Sequence, residues 1–375
     1  MSESVQPVVV GWDIGGAHLK AVMLNANGAL LHSMQLPCAL WRGLGMLENA
    51  IEQVFVQFGF RPNDVTNAVT MTGELVDLFP NRHTGVCEIA NCAATLLGPN
   101  TVFYAANSGF VELYDVAKHA SKIASSNWHA SASLLAGHVK NALLIDVGST
   151  TSDIIPILES QVMMRGFSDA ERMQQDTLVY TGVVRTPIMA LAQKLPLNDN
   201  GIEIQLNVAA EFFATMADVY RLTGELSSAK DMAETADGKG KTQMESARRL
   251  ARMVGYDVED QSIEVWIKLA FSCRALQLKQ LKSAVLKHLR SNAPIIGAGA
   301  GSFLVKALAE ELGCEYLLLA DILKTSILKS AFPQSALQSE TPTDSEQANL
   351  EICFPAYAVA RLALLKQDSF PRRTY

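Results

Sequence analysis

Two segments of this chain share one design. Residues 8–22 read VVVGWDIGGAHLKAV, and residues 142–157 read ALLIDVGSTTSDIIPI. Each is an apolar run ending in Asp-Ile/Val-Gly, followed by a turn of small residues and a second apolar run. The first run brings Asp13 to the end of a strand. Gly15 and Gly16 then let the backbone turn tightly and approach a ligand closely. The second copy repeats this with Asp146, Gly148, Ser149, Thr150 and Thr151. Exposed backbone N–H groups beside a strand-end carboxylate suit a phosphate carried on a divalent cation. Two such hairpins predict two related domains facing one cleft.

The rest of the pattern supports a repeated α/β plan. Alternating and apolar runs predict strands over 8–13, 18–24 and 29–36, with helical spacing over 44–58. A buried strand over 67–72 ends in the polar turn Thr72-Gly73-Glu74. A helix over 90–97, a strand over 101–105 and a helix over 131–138 lead to the second hairpin. There the expected strands are 142–147, 152–158 and 161–165. Helices are expected over 187–194, 207–221, 243–254 and 259–290. The last should carry an apolar stripe that includes Ile263, Trp266, Ile267, Ala270, Phe271, Leu278, Leu281 and Leu286. A strand over 293–296 runs into Gly297-Ala298-Gly299-Ala300-Gly301, which opens a helix over 302–312. Such a strand–Gly turn–helix unit aims N–H groups and a positive dipole end at an anion. Residues 223–242 and 333–349 read as loops. An Ala-rich helix over 353–365 is expected to pack back on the first domain. The domains are accordingly placed at 1–139 plus 350–375, and at 140–349 with a helical insertion.

Composition narrows the function. At 375 residues, 49% apolar and 18% charged, the chain can bury two cores. A net charge of −7 argues against nucleic acid as the main partner. Cys38, Cys87, Cys92, Cys273, Cys314 and Cys353 form no CxxC pair. They read as reduced core thiols of a cytoplasmic protein, with Cys87 and Cys92 only a weak metal candidate. No leader and no membrane span is expected.

Two DxG hairpins and a late GAGAG turn, in that order, resemble the actin-like ATPase superfamily. That implies two ribonuclease-H-like domains around a central cleft. DIGGAHLK, TGEL at 72–75, NWHASAS at 127–133, DVGSTTSDIIPI, TGVVRTP at 181–187 and ADVYRLTGEL at 217–226 look like one branch of it. This branch is the hydantoinase/oxoprolinase-related proteins linked to tetrahydromethanopterin C1 transfer. The resemblance implies a transferase of methanofuran or methylofuran cofactor biosynthesis. An aminomethylfuran-methyl diphosphate would be joined to the phenol oxygen of a tyramine or tyrosine derivative, and diphosphate released. It implies Mg²⁺ as cofactor and small molecules as partners, with a homodimer compatible. An ATP-dependent kinase, or a hydantoinase-like ATPase with ATP as ligand, is the alternative.

On this reading Asp13 and Asp146 are the first metal and catalytic candidates, and Asp153 is a third metal ligand. Where kinases of the superfamily carry a small hydroxyl residue, this chain has His18 and Lys20. Lys20 either places a point charge on the leaving diphosphate or simply faces outward on its strand. His18, on the same face, is either a general base or a half-buried His with a local partner. Gly15, Gly16, Gly148, Ser149, Thr150, Thr151, Gly297, Gly299 and Gly301 are the phosphate-binding positions. Arg185 can clamp a phosphate or a carboxylate, or form a structural ion pair. Asn127, Trp128 and His129 can stack on a substrate ring, or form a capped packing element. Asp218 and Arg221 read as a local ion pair. Asp237 belongs to a loop that could close over substrate.

Overall fold

The first hairpin is an antiparallel meander with a core on each side. In the computed structural model, which describes residues 7–199, 202–228, 230–323 and 350–367, β1 (Pro7–Ile14), β2 (His18–Asn25) and β3 (Leu30–Pro37) pair in sequence. They continue into α1 (Gly45–Phe58), β4 (Thr66–Met71) and α2 (Arg82–Leu97). β5 (Thr101–Tyr104) and β6 (Phe110–Val111) complete a six-stranded sheet in the order β3-β2-β1-β4-β5-β6. β4 runs parallel to β1, so the ends of both strands that carry Asp13 and Thr70 lie side by side. Helices α3 (Val116–Ile123) and α4 (Asn127–Ala136) follow.

β7 (Ala142–Val147) and β8 (Ser152–Leu158) form the second hairpin. Next come β9 (Gln161–Val162), α5 (Asp169–Gln174), β10 (Leu178–Val179) and α6 (Ile188–Leu191). β11 (Lys194–Asp199) and β12 (Ile202–Asn207) pair as a separate two-stranded sheet. The helices α7 (Met216–Thr223), α8 (Gln243–Met253) and α9 (Ile263–His288) precede β13 (Ile295–Ala298), α10 (Ser302–Leu312) and β14 (Tyr316–Leu317). The second main sheet runs β10-β8-β7-β13-β14, with β9 on the end of β8. α11 (Phe354–Gln367) closes the described chain.

The chain divides into two compact units. Unit 1 comprises Met1–Ala142, Ile155–Arg172 and Leu317–Tyr375, and unit 2 comprises Leu143–Ile154 and Met173–Tyr316. In unit 1, Trp12, Ile14 and Leu19 of the hairpin pack with Leu47, Ile51 and Val54 of α1 and Val86 and Ile89 of α2. The other side of the sheet is covered by α11, as the Ala-rich segment led us to expect. Gly11 of β1 makes this possible, because a Cβ there would collide with the backbone of Ala356 and the side chain of Ala360. In unit 2, Ile145, Val147 and Ile154 pack with α7, α8, α9 and α10.

Several expectations are corrected. The segment expected as a helix over 187–194 is a single turn followed by β11. The first part of the expected 207–221 helix is β12 and an irregular stretch. Residues 195–206, which hold nearly all of both strands, carry no expected element, although LPL and IEIQL alternate with the strand period. The expected 161–165 strand is only Gln161–Val162. α2 begins eight residues before the expected 90–97 helix, capped by Asn81, whose side chain accepts from the Thr84 amide at 2.9 Å. α9 buries Trp266, Leu269, Ala270, Cys273, Gln277 and Leu281, whereas Phe271 and Leu286 are half exposed. The face is set by the residues flanking the expected stripe, including a glutamine. The 333–349 loop lies outside the described residues. The 223–242 stretch is not loose. Arg221 holds Asp231 through two 2.7 Å bonds, and Lys241 donates to the Asp231 carbonyl at 2.6 Å.

Candidate functional site

Unit 1 gathers its polar groups at the C-terminal ends of β1 and β4. Asp13 is 2% exposed and sits opposite Lys20 in the β1–β2 register. Lys20 Nζ donates to Asp13 Oδ2 at 3.1 Å. Asp13 Oδ1 is buried and accepts no hydrogen bond. A buried carboxylate oxygen without a donor is costly unless a cation or a ligand donor completes it. The Asp13 oxygen therefore fits a divalent cation. Among the described residues no three His, Cys, Asp or Glu side chains cluster as a ligand set. Magnesium bound to a diphosphate needs only one or two protein carboxylates beside phosphate oxygens and water. The Cys353 thiol lies within electrostatic reach of Asp13 and Lys20, and burial pushes it up to about 12, so it stays neutral there.

The turn after β4 touches the first hairpin. The Thr72 amide donates to the Ile14 carbonyl at 2.9 Å, and Gly73 packs on the Gly15 backbone. Glu74 follows, 1% exposed, with Gly85 of α2 pressed on its backbone. Ser125 Oγ donates to Glu74 Oε1 at 2.6 Å, while Oε2 is buried with no hydrogen-bond partner. Burial raises the Glu74 carboxyl to about 7, against the opposing pull of Ser125 and Arg82. Nearby, Arg82 of α2 holds Asp169 of α5 at 2.7 Å.

α4 begins four residues before the expected 131–138 helix, which brings NWHASAS into it. Asn127 Oδ1 accepts from the Trp128 amide at 2.7 Å, so this side chain closes the helix start. Trp128 is buried, with the Arg172 guanidinium 4.2 Å from its ring centroid and Phe167 at 6.0 Å. His129 is held between Tyr104 Oη at 2.9 Å and Asn107 Oδ1 at 2.8 Å. Burial lowers it to about 4, so the ring is neutral near pH 7. This is the packing alternative for His129. A cavity of about 100 Å³ lies beside this group, lined by Ala106, Asn107, Ser125, Ser126, Trp128 and Phe167 among others.

Unit 2 brings the second hairpin and the GAGAG turn together. β13 is parallel to β7, and Ala298 pairs with Asp146. Gly299 has φ +81°, and a Cβ there would meet Asp146 Oδ1 and the Val147 carbonyl. Only glycine fits on both counts. Gly301 donates to the Val147 carbonyl at 2.8 Å, and Gly297 is packed under the Tyr316 ring. The loop Gly148–Thr151 closes through Gly148 N to the Thr151 carbonyl at 2.8 Å, and Ser149 and Thr150 hydroxyls stand 3.4 Å apart. Residues 182–185 brace it. Gly182 packs on the Ser149–Thr150 backbone, and the Val184 and Arg185 amides donate to the Ser149 carbonyl at 3.1 and 2.8 Å. The Arg185 side chain is exposed beside this loop. Asp153 stands on β8 opposite Leu178 of β10.

Asp218 and Arg221 form the expected local pair at 2.8 Å, within a larger buried network. Arg249, 1% exposed at its side chain, reaches Asp218 at 2.8 Å and Asp237 at 2.9 Å. Asp237 is thus tied to α8 and does not belong to a free flap.

Sequence reasoning missed Glu74, Ser125, Phe167, Tyr104 and Arg172 as members of one cluster. TGEL held the one usable signal, an acidic residue in a tight turn after a buried strand. The other four come from separate segments and carry no local signal.

The two main sheets, each a meander extended by parallel strands, define an α/β protein of the actin-like ATPase fold with two ribonuclease-H-like units. A solved acetone carboxylase in its nucleotide-free state has this fold, with a TM-score of 0.51, 12% identity and coverage of 82% of this chain and 67% of that one. Residues 65–331 match the hydantoinase/oxoprolinase family. The chain belongs to that family. It is 26% identical to the (4-{4-[2-(gamma-L-glutamylamino)ethyl]phenoxymethyl}furan-2-yl)methanamine synthase of Methanocaldococcus jannaschii, over 96% of this chain and 99% of that protein. The synthase of the same name from Methanococcus vannielii is 31% identical over 175 residues, 46% of this chain and 76% of that protein. Among the described residues no helix is long and apolar enough to cross a membrane.

Proposed function

We propose that this chain is a transferase of methanofuran or methylofuran biosynthesis. It joins an aminomethylfuran-methyl diphosphate to the phenol oxygen of a tyramine or tyrosine derivative. The observation that carries this is the end-to-end likeness to a synthase whose name describes a phenoxymethyl-furan, an aryl ether. In the reaction the phenol oxygen attacks the methylene carbon as the carbon–oxygen bond to diphosphate breaks. The electron pair leaves with diphosphate, and the furan ring shares the positive charge that develops on carbon.

The residues of unit 1 suit this chemistry. Asp13, with its open buried oxygen, is the carboxylate for a magnesium diphosphate. When bound, the cation neutralises the charge of the leaving group. Lys20 is fixed by Asp13 at the same strand ends and adds a positive charge there. The Gly15 amide closes the turn on the His18 carbonyl at 2.9 Å, and the Gly16 amide after it is the fixed dipole for a phosphate oxygen. In unit 2 the Gly148–Thr151 loop with Gly299 is built as a second anion-binding turn, with the Arg185 side chain beside it.

The test is incubation with the furan diphosphate, Mg²⁺ and each of γ-glutamyltyramine, tyramine and tyrosine. Mass spectrometry should find one ether, and diphosphate should appear in equal amount. No ether with any of the three acceptors rejects the proposal. Hydrolysis of ATP, or transfer of its γ-phosphate, under those conditions would establish the ATP-dependent alternative.

A further inference from the structure

The geometry points to the Ser125–Trp128 cavity as the site that receives the phenol ring of the acceptor, with Ser125 accepting its O–H and Glu74 taking the proton through Ser125. This rests on the transferase reading above and assigns the acceptor subsite within it.

Four observations converge on this cavity. Its volume, about 100 Å³, is roughly two-thirds of that of a cavity that encloses benzene, so it takes up part of one ring. Its lining includes the aromatic residues Trp128 and Phe167 beside the polar residues Ser125 and Ser126. That pairing matches a molecule with an apolar ring and one hydroxyl. Two of its lining residues, Ala106 at φ 45° and Ser125 at φ 50°, hold left-handed backbone without being glycine. Such strain persists where the surroundings impose it and collects at ligand sites. Finally, two buried polar atoms of the group have no hydrogen-bond partner, Glu74 Oε2 and Trp128 Nε1. Burying both unpaired is costly for a purely structural cluster.

The cavity is also placed for the reaction. Ser126 Oγ lies 3.5 Å from Thr70 Oγ1, and Thr70 pairs with Asp13 across β4 and β1. Ser126 and Thr70 thus stand between the cavity and the carboxylate proposed for the diphosphate, with Thr70 about 5 Å from Asp13 in strand spacing.

The proton path balances. The phenol gives its proton to Ser125 Oγ, Ser125 passes its own to Glu74 Oε1, and the phenol oxygen forms the new carbon–oxygen bond. Ser125 touches the substrate and is the catalytic residue, whereas Glu74 acts through it. A phenol has a pKa of about 10 and an ordinary Glu about 4.3. With Glu74 near 7, the mismatch falls from about 6 to about 3, which favours transfer in the transition state. The charged and titratable groups around this path are Arg82 of α2, Asp169 and Arg172 of α5, Lys122 of α3, His129 of α4 and Tyr104 of β5, with Arg172 over the Trp128 ring and the Tyr104 hydroxyl pushed up by burial. Arg82 and Asp169 pair with each other, Lys122 donates to Ser108 Oγ at 2.8 Å, and His129 is neutral above its lowered pKa. Glu74 is then the group of this cluster that titrates near pH 7.

The experiment uses the full chain and 4-methylphenol, a probe with no charge below pH 9. Calorimetry should show binding that tightens about tenfold between pH 5.5 and 8.5, as ionised Glu74 lets Ser125 accept the phenol hydrogen. Glu74→Gln should bind with no pH dependence. Ser121→Trp, at an exposed lining position, should weaken binding more than tenfold by filling the cavity. In ether formation at pH 8.5, Glu74→Gln should lower kcat about 100-fold, raise the acceptor KM by no more than the tenfold seen in binding, and lose the rise in rate near pH 7. Binding that is unaffected by Ser121→Trp, or equally pH-dependent in Glu74→Gln, overturns the assignment even if ether forms. Binding with the expected pattern and no ether formation instead rejects the transferase reading and leaves a phenol site.

Discussion

Glu74 and His129 pull the stability of unit 1 in opposite directions between pH 4.5 and 6.5. Glu74 titrates near 7 when folded against an ordinary 4.5. The unfolded chain releases that proton first, so stability falls as pH rises from 4.5 to 7. Full ionisation costs about 3 kcal/mol, at 1.36 kcal/mol for each pKa step. His129 titrates near 4 against 6.5. Here the unfolded chain takes the proton first, so stability falls as pH drops from 6.5 to 4, again by about 3 kcal/mol. In the shared window the two slopes cancel, and the wild type is flat with respect to this pair. Each substitution then exposes the other slope. Glu74→Gln should gain about 3 kcal/mol relative to wild type between pH 4.5 and 7. His129→Gln should lose its acid sensitivity and weaken steadily from pH 4.5 to 7. For a unit of this size that is about 6–12 °C in Tm. Differential scanning of the three proteins across pH 4–8 measures it, and subtraction removes the carboxylates they share. Offsets from wild type that stay constant across the range would refute the reasoning, because a lost contact shifts Tm without a pH slope.

Other outcomes follow from particular contacts. Asp13→Asn should abolish ether formation, by 100-fold or more, and weaken magnesium-dependent diphosphate binding measured by calorimetry. Gly299→Ala should cost about 1–3 kcal/mol from the positive φ and should displace Asp146, read as lowered Tm together with lost diphosphate binding. Arg249→Met should destabilise unit 2 by about 3–5 kcal/mol, since Asp218 would be left buried beside one cation fewer. It should also expose the 223–242 segment to limited proteolysis. Gln277→Leu leaves Tyr220 Oη, Thr181 Oγ1 and the Gly182 carbonyl without their partner. Denaturant unfolding should show a loss of about 1–3 kcal/mol.

The elements read best from sequence are those whose local chemistry agrees with their tertiary setting. The β1–β3 meander, α1 and α10 fall within a residue or two of expectation, because apolar period and glycine punctuation agree there. β11 and β12 lie almost wholly in 195–206, between two expected helices, where no element is expected despite the strand-period alternation. The 223–242 segment looked like a linker because its composition is polar, yet its aspartates are consumed by Arg221 and Arg249 from helices before and after it. The strand-end placement of Asp13 and Asp146 and the turn at Gly299 were legible, since a strand end and a glycine turn are local features. The role of Trp128 was half legible. An aromatic in a helix start is visible, but the Arg172 guanidinium over its ring comes from a segment of no evident interest.

The sequence by itself determined the repeated hairpins, and with them the fold class, the family and the strand-end carboxylates. These follow from residues adjacent in the chain, whose turns and periods act over a few bonds. The tertiary structure alone decided which side chains are desolvated together. Glu74, the Ser125–Trp128 stretch and Phe167 lie on three different segments, and nothing local marks them as neighbours. Packing removes water from Glu74, Ser125 and Trp128 at once, with Phe167 at the exposed edge. That shared desolvation raises the Glu74 carboxyl and leaves its second oxygen and the Trp128 N–H unpaired beside the cavity.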